Sequence, residues 1–276
     1  METLSFDEYL SKTFTSSTSR AKPSYQRALR ILDELFQVND VFGLNGLPLK
    51  DLKDPVLVAR ILDFVTEEEE KFRTNRDSFF KSEISIPPSY PRDRFCKSAV
   101  RHLRDYITKI SENESIALMA DYKDQGKKLS KKLIGKFRLN NENTEQEAVI
   151  NRRIGQDIFR AMLLNIYDCK CCLTGIDIPE VLRASHILAW SENKETRLNP
   201  ENGLCLSATY DAAFDRHLIS FDEDYRLILS KELKDAYSSN AFKTYFLKLE
   251  GTKIQMPSMF LPSKEFLKEH RKHLVG

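Results

Sequence analysis

The sequence lacks the features that mark membrane proteins and secreted proteins. No apolar run approaches the roughly 20 residues that a membrane-spanning helix needs, and Met1 to Asp7 does not form a basic and then apolar signal. The five cysteines are an odd number, crowded near residue 170, and they do not form a secreted disulfide framework. We therefore expect a cytoplasmic protein that does not contact a membrane.

An excess of charge of one sign is also absent. With 43 Lys and Arg against 41 Asp and Glu, the formal net charge of the 276 residues is only +2. This balance excludes a global basic field, so any surface for a nucleic acid must be local. Hydrophobic residues make up 41% and charged residues 30% of the chain, as in ordinary globular proteins, and the length suits one large or two modest domains.

Helical periodicity dominates the first 120 residues. Apolar residues recur at helical spacing in three stretches: 25–36, 58–65 and 95–110. Glu67 to Glu70 is a run of carboxylates that we expect to form a solvated helix face. The pattern predicts a helical domain over 1–120. Its segments Ser24–Arg30 and Ser98–Arg104 resemble helices of the small DNA-binding domains of phage-type integrases, although a generic helical partner domain explains them equally well.

Positive charge is concentrated in the segment that follows. Between residues 123 and 138 seven basic residues face one acidic residue, Asp124. Such an excess can neutralise several phosphates and would make binding depend on salt. A lysine-rich, solvated linker is the alternative. We predict a basic connector over 121–143 that contacts a nucleic-acid backbone through Lys127, Lys128, Lys131 and Lys132.

A further helix is predicted from residue 144 onward. Thr144 to Glu147 is a capping-box signature, and apolar residues then recur at every fourth position from Ile150 to Ile166. Arg153 and Arg160 lie on its more polar side. They would contact a DNA backbone or support the elements that follow, and the sequence leaves both interpretations open.

The most informative stretch runs from residue 167 to 230. Three short elements follow one another in it: a strand over Val181–Leu188, a strand over Gly203–Ser207 and a helix over Ala208–Arg216. The second strand is entered through Asn-Gly, a strong turn signal. This order of strand, loop, strand and helix predicts that His186, Asn202 and Asp211 form one polar cluster.

These motifs together resemble the HNH nuclease family with its ββα-metal finger, in particular bacterial restriction-type members. The likeness covers about a quarter of the chain. Its motifs are Cys172–Gly175, Ser185–Ile187, Asn202–Leu204 and Asp211–Asp215. The resemblance implies that His186 is the general base that deprotonates a water, that Asn202 braces the loop and orients the histidine, and that Asp211 binds a metal ion.

Two positions depart from the family's pattern. The residue before the general base is often an Asp that binds the metal, but here it is Ser185, and Asp211 replaces the third histidine. Because Ser185 is a weaker ligand, Asp215 is a candidate second carboxylate, or it braces the helix end. Such ligands suit one Mg²⁺ or Mn²⁺ ion better than Zn²⁺. A structural zinc ion at Cys169 and Cys172 would need a second pair of ligands, so we do not expect one.

The sequence thus predicts an α+β fold: a helical domain (1–120), a basic connector (121–143) and a ββα-metal HNH nuclease domain (144–276). The resemblance implies divalent-metal-dependent hydrolysis of double-stranded DNA in restriction or defence, and it leaves a homodimer open. Two alternatives remain. The chain is a DNA-binding module that lost its metal with Ser185, or a thiol hydrolase that uses Cys205.

Overall fold

The structure is a computed structural model that describes residues 4–15, 21–81, 86–123, 125–140, 144–191 and 193–275. It is mostly helical, with two small antiparallel sheets of two strands each, which confirms the predicted α+β class. Among the described residues, no helix combines the length and the apolar character that a membrane crossing requires.

The chain forms two compact units. The first consists of residues 1–111 and 137–154, and the second of residues 112–136 and 155–276. Residues 126–136, which lie within the predicted connector, form a helix of the second unit. The domain boundaries predicted at 120 and 143 stay a prediction.

The first unit is built of helices around one apolar core. Its helices are α1 (Phe6–Thr13), α2 (Ala21–Asn39), α3 (Pro55–Arg73), α4 (Ser89–Arg92), the larger part of α5 (Phe95–Met119) and the first part of the helix Glu145–Ile166. The side chain of Asp54 accepts hydrogen bonds from the first backbone amides of α3, and Pro55 suits the first helical position. The apolar stripes of α2, α3 and α5 meet in the core, where Leu32, Ile61 and Leu103 are fully buried.

The expectation of a solvated face at Glu67–Glu70 is wrong for two of its carboxylates. Glu68 and Glu69 are only 6% and 1% exposed. Four successive residues cover more than one turn of a helix, so α3 cannot point all of them to solvent. Glu69 accepts a hydrogen bond from the backbone of Lys97 at 3.0 Å, and burial raises the pKa of Glu69 to about 7.

The second unit combines helices with both sheets. Its elements are the end of α5, α6 (Gly126–Lys136), the second half of α7 (Glu145–Ile166), β1 (Leu182–His186), β2 (Gly203–Ser207), α8 (Ala208–Asp215), β3 (Ile219–Phe221), β4 (Leu227–Leu229), α9 (Lys231–Ala236), α10 (Asn240–Tyr245) and α11 (Lys264–Arg271). Strands β1 and β2 pair antiparallel, and α8 packs on both of them. β1 is shorter than predicted because the backbone amide of Leu188 bonds to the Asn202 side chain instead of continuing the strand.

Helix α11 is joined to the end of α8 through a buried histidine. Nδ1 of His270 lies 2.9 Å from Oγ of Ser220, Nε2 lies 3.2 Å from the carbonyl oxygen of Phe214, and the Phe214 ring stacks on the imidazole. Burial, and to a smaller extent the neighbouring His217, lower the pKa of His270 to about 4. The histidine is therefore a neutral core residue that makes two hydrogen bonds.

Candidate active site

The last residue of β1 faces the first residue of β2, so that His186 lies opposite Gly203. A Cβ atom on Gly203 would lie 2.5 Å from Cδ1 of Leu163 and 2.7 Å from Cζ of Phe159. Both distances are far below van der Waals contact. Glycine at this position therefore makes room for side chains of α7 next to the strands.

His186 is held by a hydrogen bond and by two aromatic side chains. Its Nε2 lies 3.0 Å from the carbonyl oxygen of Arg197. Because a carbonyl only accepts hydrogen bonds, Nε2 carries the proton of the neutral ring, and the lone pair that can take a further proton is on Nδ1. Phe159 stacks on the imidazole with 3.8 Å between ring centroids, and Trp190 meets it edge-on at 5.7 Å. These contacts define both the tautomer and the orientation of the ring.

The side chain of Asn202 braces the loop that follows β1. Its Oδ1 accepts a hydrogen bond from the amide of Leu188 at 2.8 Å, and its Nδ2 donates to the carbonyl oxygens of Leu188 at 3.1 Å and Thr196 at 3.4 Å. Its backbone carbonyl accepts from the amide of Ile187 at 2.9 Å. The buried Asn202 thereby ties together the two ends of this loop. The resemblance implies this bracing position, while a role in catalysis stays a prediction.

Two of the predicted metal ligands touch each other, and the third is one helical turn away. Oγ of the buried Ser185 donates a hydrogen bond to Oδ1 of Asp211 at 2.5 Å. Asp215 follows four residues later on α8. Partial burial raises the pKa of Asp215, and the charge of Asp211 raises it further. The structure thus places two carboxylates and a hydroxyl group on one side of α8.

The chemistry of these donors fits a hard divalent cation. Carboxylate and hydroxyl oxygens suit Mg²⁺ or Mn²⁺, and Mg²⁺ in particular retains several waters and needs only one or two protein carboxylates. A cation would also relieve the repulsion between Asp211 and Asp215. In the described part of the chain, no three His, Cys, Asp or Glu side chains are grouped so that they could hold a metal ion. Waters or a substrate phosphate would have to complete the ligand set.

The cysteines of this unit are poorly suited to chemistry. All five cysteines of the chain are free thiols, and of these only Cys169 is exposed. Burial raises the pKa of the Cys205 thiol to about 12 and that of Cys172 well above its usual range. Because the thiolate is the nucleophile and the metal ligand, burial disfavours a thiol hydrolase at Cys205 and a zinc site at Cys172.

The predicted phosphate-binding lysines lie on one exposed face of α6. The exposed residues are Lys127, Lys128, Lys131 and Lys132. The opposite face, which includes Leu129 and Ser130, is buried. It packs against two short 3₁₀ turns in the loop between β1 and β2, Lys194–Thr196 and Pro200–Asn202. The lysines thus belong to the helix that supports the loop next to His186. Their contact with DNA stays a prediction.

The two predicted arginines of α7 differ in their surroundings. Nη1 of the half-buried Arg160 donates to the carbonyl oxygen of Leu182, and Nη2 donates to that of Pro179, both at 2.7 Å. Arg160 therefore supports the entry into β1, which is one of the two interpretations that the sequence left open. Arg153 is exposed and belongs to the first unit. DNA contacts of either arginine stay a prediction.

Sequence analysis missed the residues that orient His186. Phe159 is one apolar residue of many in α7, and nothing in its spacing marks it as a partner of the histidine. Arg197 acts through its backbone carbonyl, which any residue type would supply. Gly203 does carry a signal, because Asn-Gly is a turn pair, but this signal explains the glycine by a turn. In the structure its φ of −143° is an ordinary extended value, and glycine is needed there for space.

Comparison with known proteins adds one finding. Residues 171–222 match the model of a family described as HNH endonuclease. The matched segment contains β1, β2, α8 and β3, and therefore every residue of the candidate site between Ser185 and Asp215. No curated protein matches the sequence.

Proposed function

The chain carries an HNH endonuclease domain at residues 171–222, and from this premise we propose that it hydrolyses phosphodiester bonds of DNA with a divalent metal ion. One observation above all supports the proposal. The Arg197 carbonyl holds His186 in the tautomer whose Nδ1 can accept a proton, at the end of a strand that also brings Ser185 to Asp211.

His186 is the general base in this proposal. A neutral imidazole can take a proton from the attacking water, which is the usual task of a histidine general base. The Phe159 ring and the Arg197 carbonyl keep the imidazole from rotating, and Asn202 keeps the loop that carries this carbonyl in place. Pre-orientation of this kind lowers the entropic part of the barrier.

Asp211, with Ser185 and Asp215 beside it, would hold the metal ion. A bound Mg²⁺ or Mn²⁺ would neutralise charge on the phosphate and stabilise the departing oxygen. The exposed lysines of α6 would bind the phosphates of double-stranded DNA and give the affinity its salt dependence. Restriction or defence is the biological setting that the resemblance favours, with a homodimer as one way to cut both strands.

A second candidate function is a DNA-binding module without catalysis. It is favoured by the hydrogen bond of Ser185 to Asp211, because this hydroxyl group stands where many HNH nucleases have a carboxylate ligand. A site with too little negative charge would bind a divalent cation weakly. The basic helix α6 would still bind phosphates in that case.

Supercoiled plasmid conversion distinguishes the two functions. We expect the wild type to nick or linearise the plasmid in Mg²⁺ or Mn²⁺ and to be inactive in EDTA. His186→Ala should lose about 10²–10⁴-fold in rate, the usual contribution of a general base. His273→Ala is the matched control, because His273 is an exposed histidine outside the site, and it should cut like the wild type.

Two results would contradict the nuclease. Equal cleavage by the wild type and His186→Ala would show that the activity comes from another site or another protein. Salt-sensitive DNA binding without cleavage in any of the metals would favour the binding module.

A further inference from the structure

A single peptide group joins α6 to the histidine of the candidate site. The carbonyl oxygen of Arg197 accepts the hydrogen bond from Nε2 of His186 at 3.0 Å. The amide of Leu198 donates a hydrogen bond to Oγ of Ser130 at 3.2 Å. These two groups are the opposite ends of the same peptide bond. The hydroxyl of Ser130 and the imidazole of His186 are therefore linked through one rigid planar unit.

The link lies inside the protein, where a hydrogen bond has most effect. Ser130 and Leu198 are both completely buried. In such surroundings a peptide group whose amide is hydrogen-bonded becomes more polarised, and its carbonyl oxygen becomes a better acceptor. Loss of the Ser130 hydroxyl would leave the Leu198 amide buried without its partner, which is costly unless the loop moves.

Close packing fixes the same helix to the same loop one turn earlier. A Cβ atom on Gly126 would lie 1.9 Å from Oδ1 of Asn199 and 2.9 Å from Cδ of Glu201. The backbone of α6 therefore approaches these two side chains so closely that a larger residue at its first position would force them to move. This packing fixes the position of α6 along the loop, and with it the position of the Ser130 hydroxyl next to the amide of Leu198.

We propose that Ser130 is a positioning residue for His186. By accepting the hydrogen bond from Leu198, it sets the plane of the Arg197–Leu198 peptide group and strengthens the carbonyl that keeps the proton of the imidazole on Nε2. The consequence for cleavage rests on the proposed nuclease function. The consequence for the tautomer and orientation of the ring does not, so the two can be tested separately.

Helix α6 would then connect the bound DNA to the general base. Lys131 and Lys132 are exposed and follow Ser130 directly in the helix. A DNA backbone bound by these lysines would be placed relative to His186 through Ser130 and the Arg197–Leu198 peptide group. Substrate binding and alignment of the general base would then depend on one rigid element.

The ring nitrogen signals of ¹⁵N-histidine-labelled protein test the orientation, with His186→Ala to assign the resonance. We expect the wild-type His186 to show the Nε2–H tautomer. Ser130→Ala should shift the signals toward a mixture of tautomers, while Ser130→Thr, which keeps the hydroxyl, should stay close to the wild type. Ser111→Ala is the matched control, because Ser111 is a buried helical serine whose hydroxyl donates to Ile107.

Steady-state cleavage of a DNA substrate supplies the second readout. Ser130→Ala should lower kcat about tenfold, part of the 10²–10⁴-fold that a general base contributes, and leave KM within about twofold. A residue with a purely structural role would change the unfolding midpoint but would leave the tautomer and kcat of the folded enzyme unchanged.

Each outcome bears on the proposal. Unchanged ring signals in a folded Ser130→Ala protein would overturn it, and so would an equal change in Ser111→Ala. If Ser130→Ala does not fold, Ser130→Cys is compared with Ser130→Thr. Only Ser130→Cys should shift the tautomer of His186, because a thiol is a weaker hydrogen-bond acceptor than a hydroxyl group. Equal spectra of the two variants would overturn the proposal. A wild type that cuts no DNA would refute the nuclease, but the ring signals would still decide whether Ser130 orients His186.

Discussion

Replacement of Gly203 by alanine is expected to disturb both the stability and the activity of the second unit. The backbone at Gly203 is extended, with φ of −143° and ψ of 150°, so alanine can adopt it without strain. The backbone conformation therefore adds no strain, and the steric conflict comes from the added methyl group. This group would lie 2.5 Å from Cδ1 of Leu163 and 2.7 Å from Cζ of Phe159.

The magnitude follows from two opposing contributions. An extra methyl group in a well-packed core costs about 1–3 kcal/mol. Alanine in place of glycine in a strand contributes about 0.5–1 kcal/mol in the other direction, because it loses less backbone entropy on folding. We therefore expect a net loss of about 1 kcal/mol, within a range of about 0–2.5 kcal/mol, in the free energy of unfolding. Displacement of Phe159 should also lower kcat, since its ring stacks on His186 at 3.8 Å.

Urea unfolding measures the stability change as a lower midpoint at unchanged slope. Gly135→Ala is the matched control, since nothing lies within 4 Å of a Cβ atom at this helical position, and alanine there should stabilise α6 by about 1 kcal/mol. Phe159→Leu in the Gly203→Ala background should recover part of the lost stability, because it removes Cζ of Phe159, one of the atoms that the added methyl group would meet. A double-mutant cycle of the two positions should give a coupling of about 1 kcal/mol or more.

An unchanged urea midpoint together with an unchanged kcat in Gly203→Ala would show that the added methyl group meets no packing conflict. An additive double mutant would show that Phe159 is not the side chain in conflict. Loss of activity without loss of stability would mean that the methyl group affects the substrate directly.

Three further predictions concern buried charge and the basic helix. Burial raises the pKa of Glu69 to about 7, so the folded protein resists ionisation of this carboxyl group. Its contribution to the free energy of unfolding is therefore complete below pH 4.5, and up to about 3 kcal/mol of it is lost as the pH rises to 7. Glu69→Gln should remove this dependence, which urea midpoints of both proteins at pH 5 and 8 would show, and equal pH dependence would contradict it. The pH dependence that comes from His270 has the opposite sign, because the pKa of this histidine is lowered to about 4. Its contribution to the free energy of unfolding is complete above about pH 6.5, and up to about 3 kcal/mol of it is lost as the pH falls to 4. His270→Gln should flatten the acid limb of the stability curve, and an unchanged limb would argue that the histidine is not buried in solution. Replacement of both Lys131 and Lys132 by Gln should reduce the slope of log affinity against log salt by about 2, while Lys243→Gln, an exposed lysine outside α6, should leave it unchanged.

Local signals in the sequence were sufficient for the elements of the site and their order. The apolar stretch before residue 188, the Asn-Gly pair and the helical run after Ser207 predict β1, β2 and α8, and the structure contains them at 182–186, 203–207 and 208–215. Each of these signals acts over a few residues, through β-propensity, turn residues or helical periodicity. The ordered motifs also indicated the HNH family, which the match over residues 171–222 supports.

Tertiary structure decided everything that depends on residues distant in the chain. The burial of Glu69 depends on the packing of α3 in the core of the first unit, and the need for glycine at 203 comes from side chains of α7 some forty positions earlier. The acceptor for His186 is a backbone carbonyl, and backbone groups carry no mark in a sequence. The sequence by itself determined which elements of the site form and in which order they follow one another. Folding determined how those side chains are oriented, because orientation depends on close packing and on hydrogen bonds between segments that only the tertiary structure brings together.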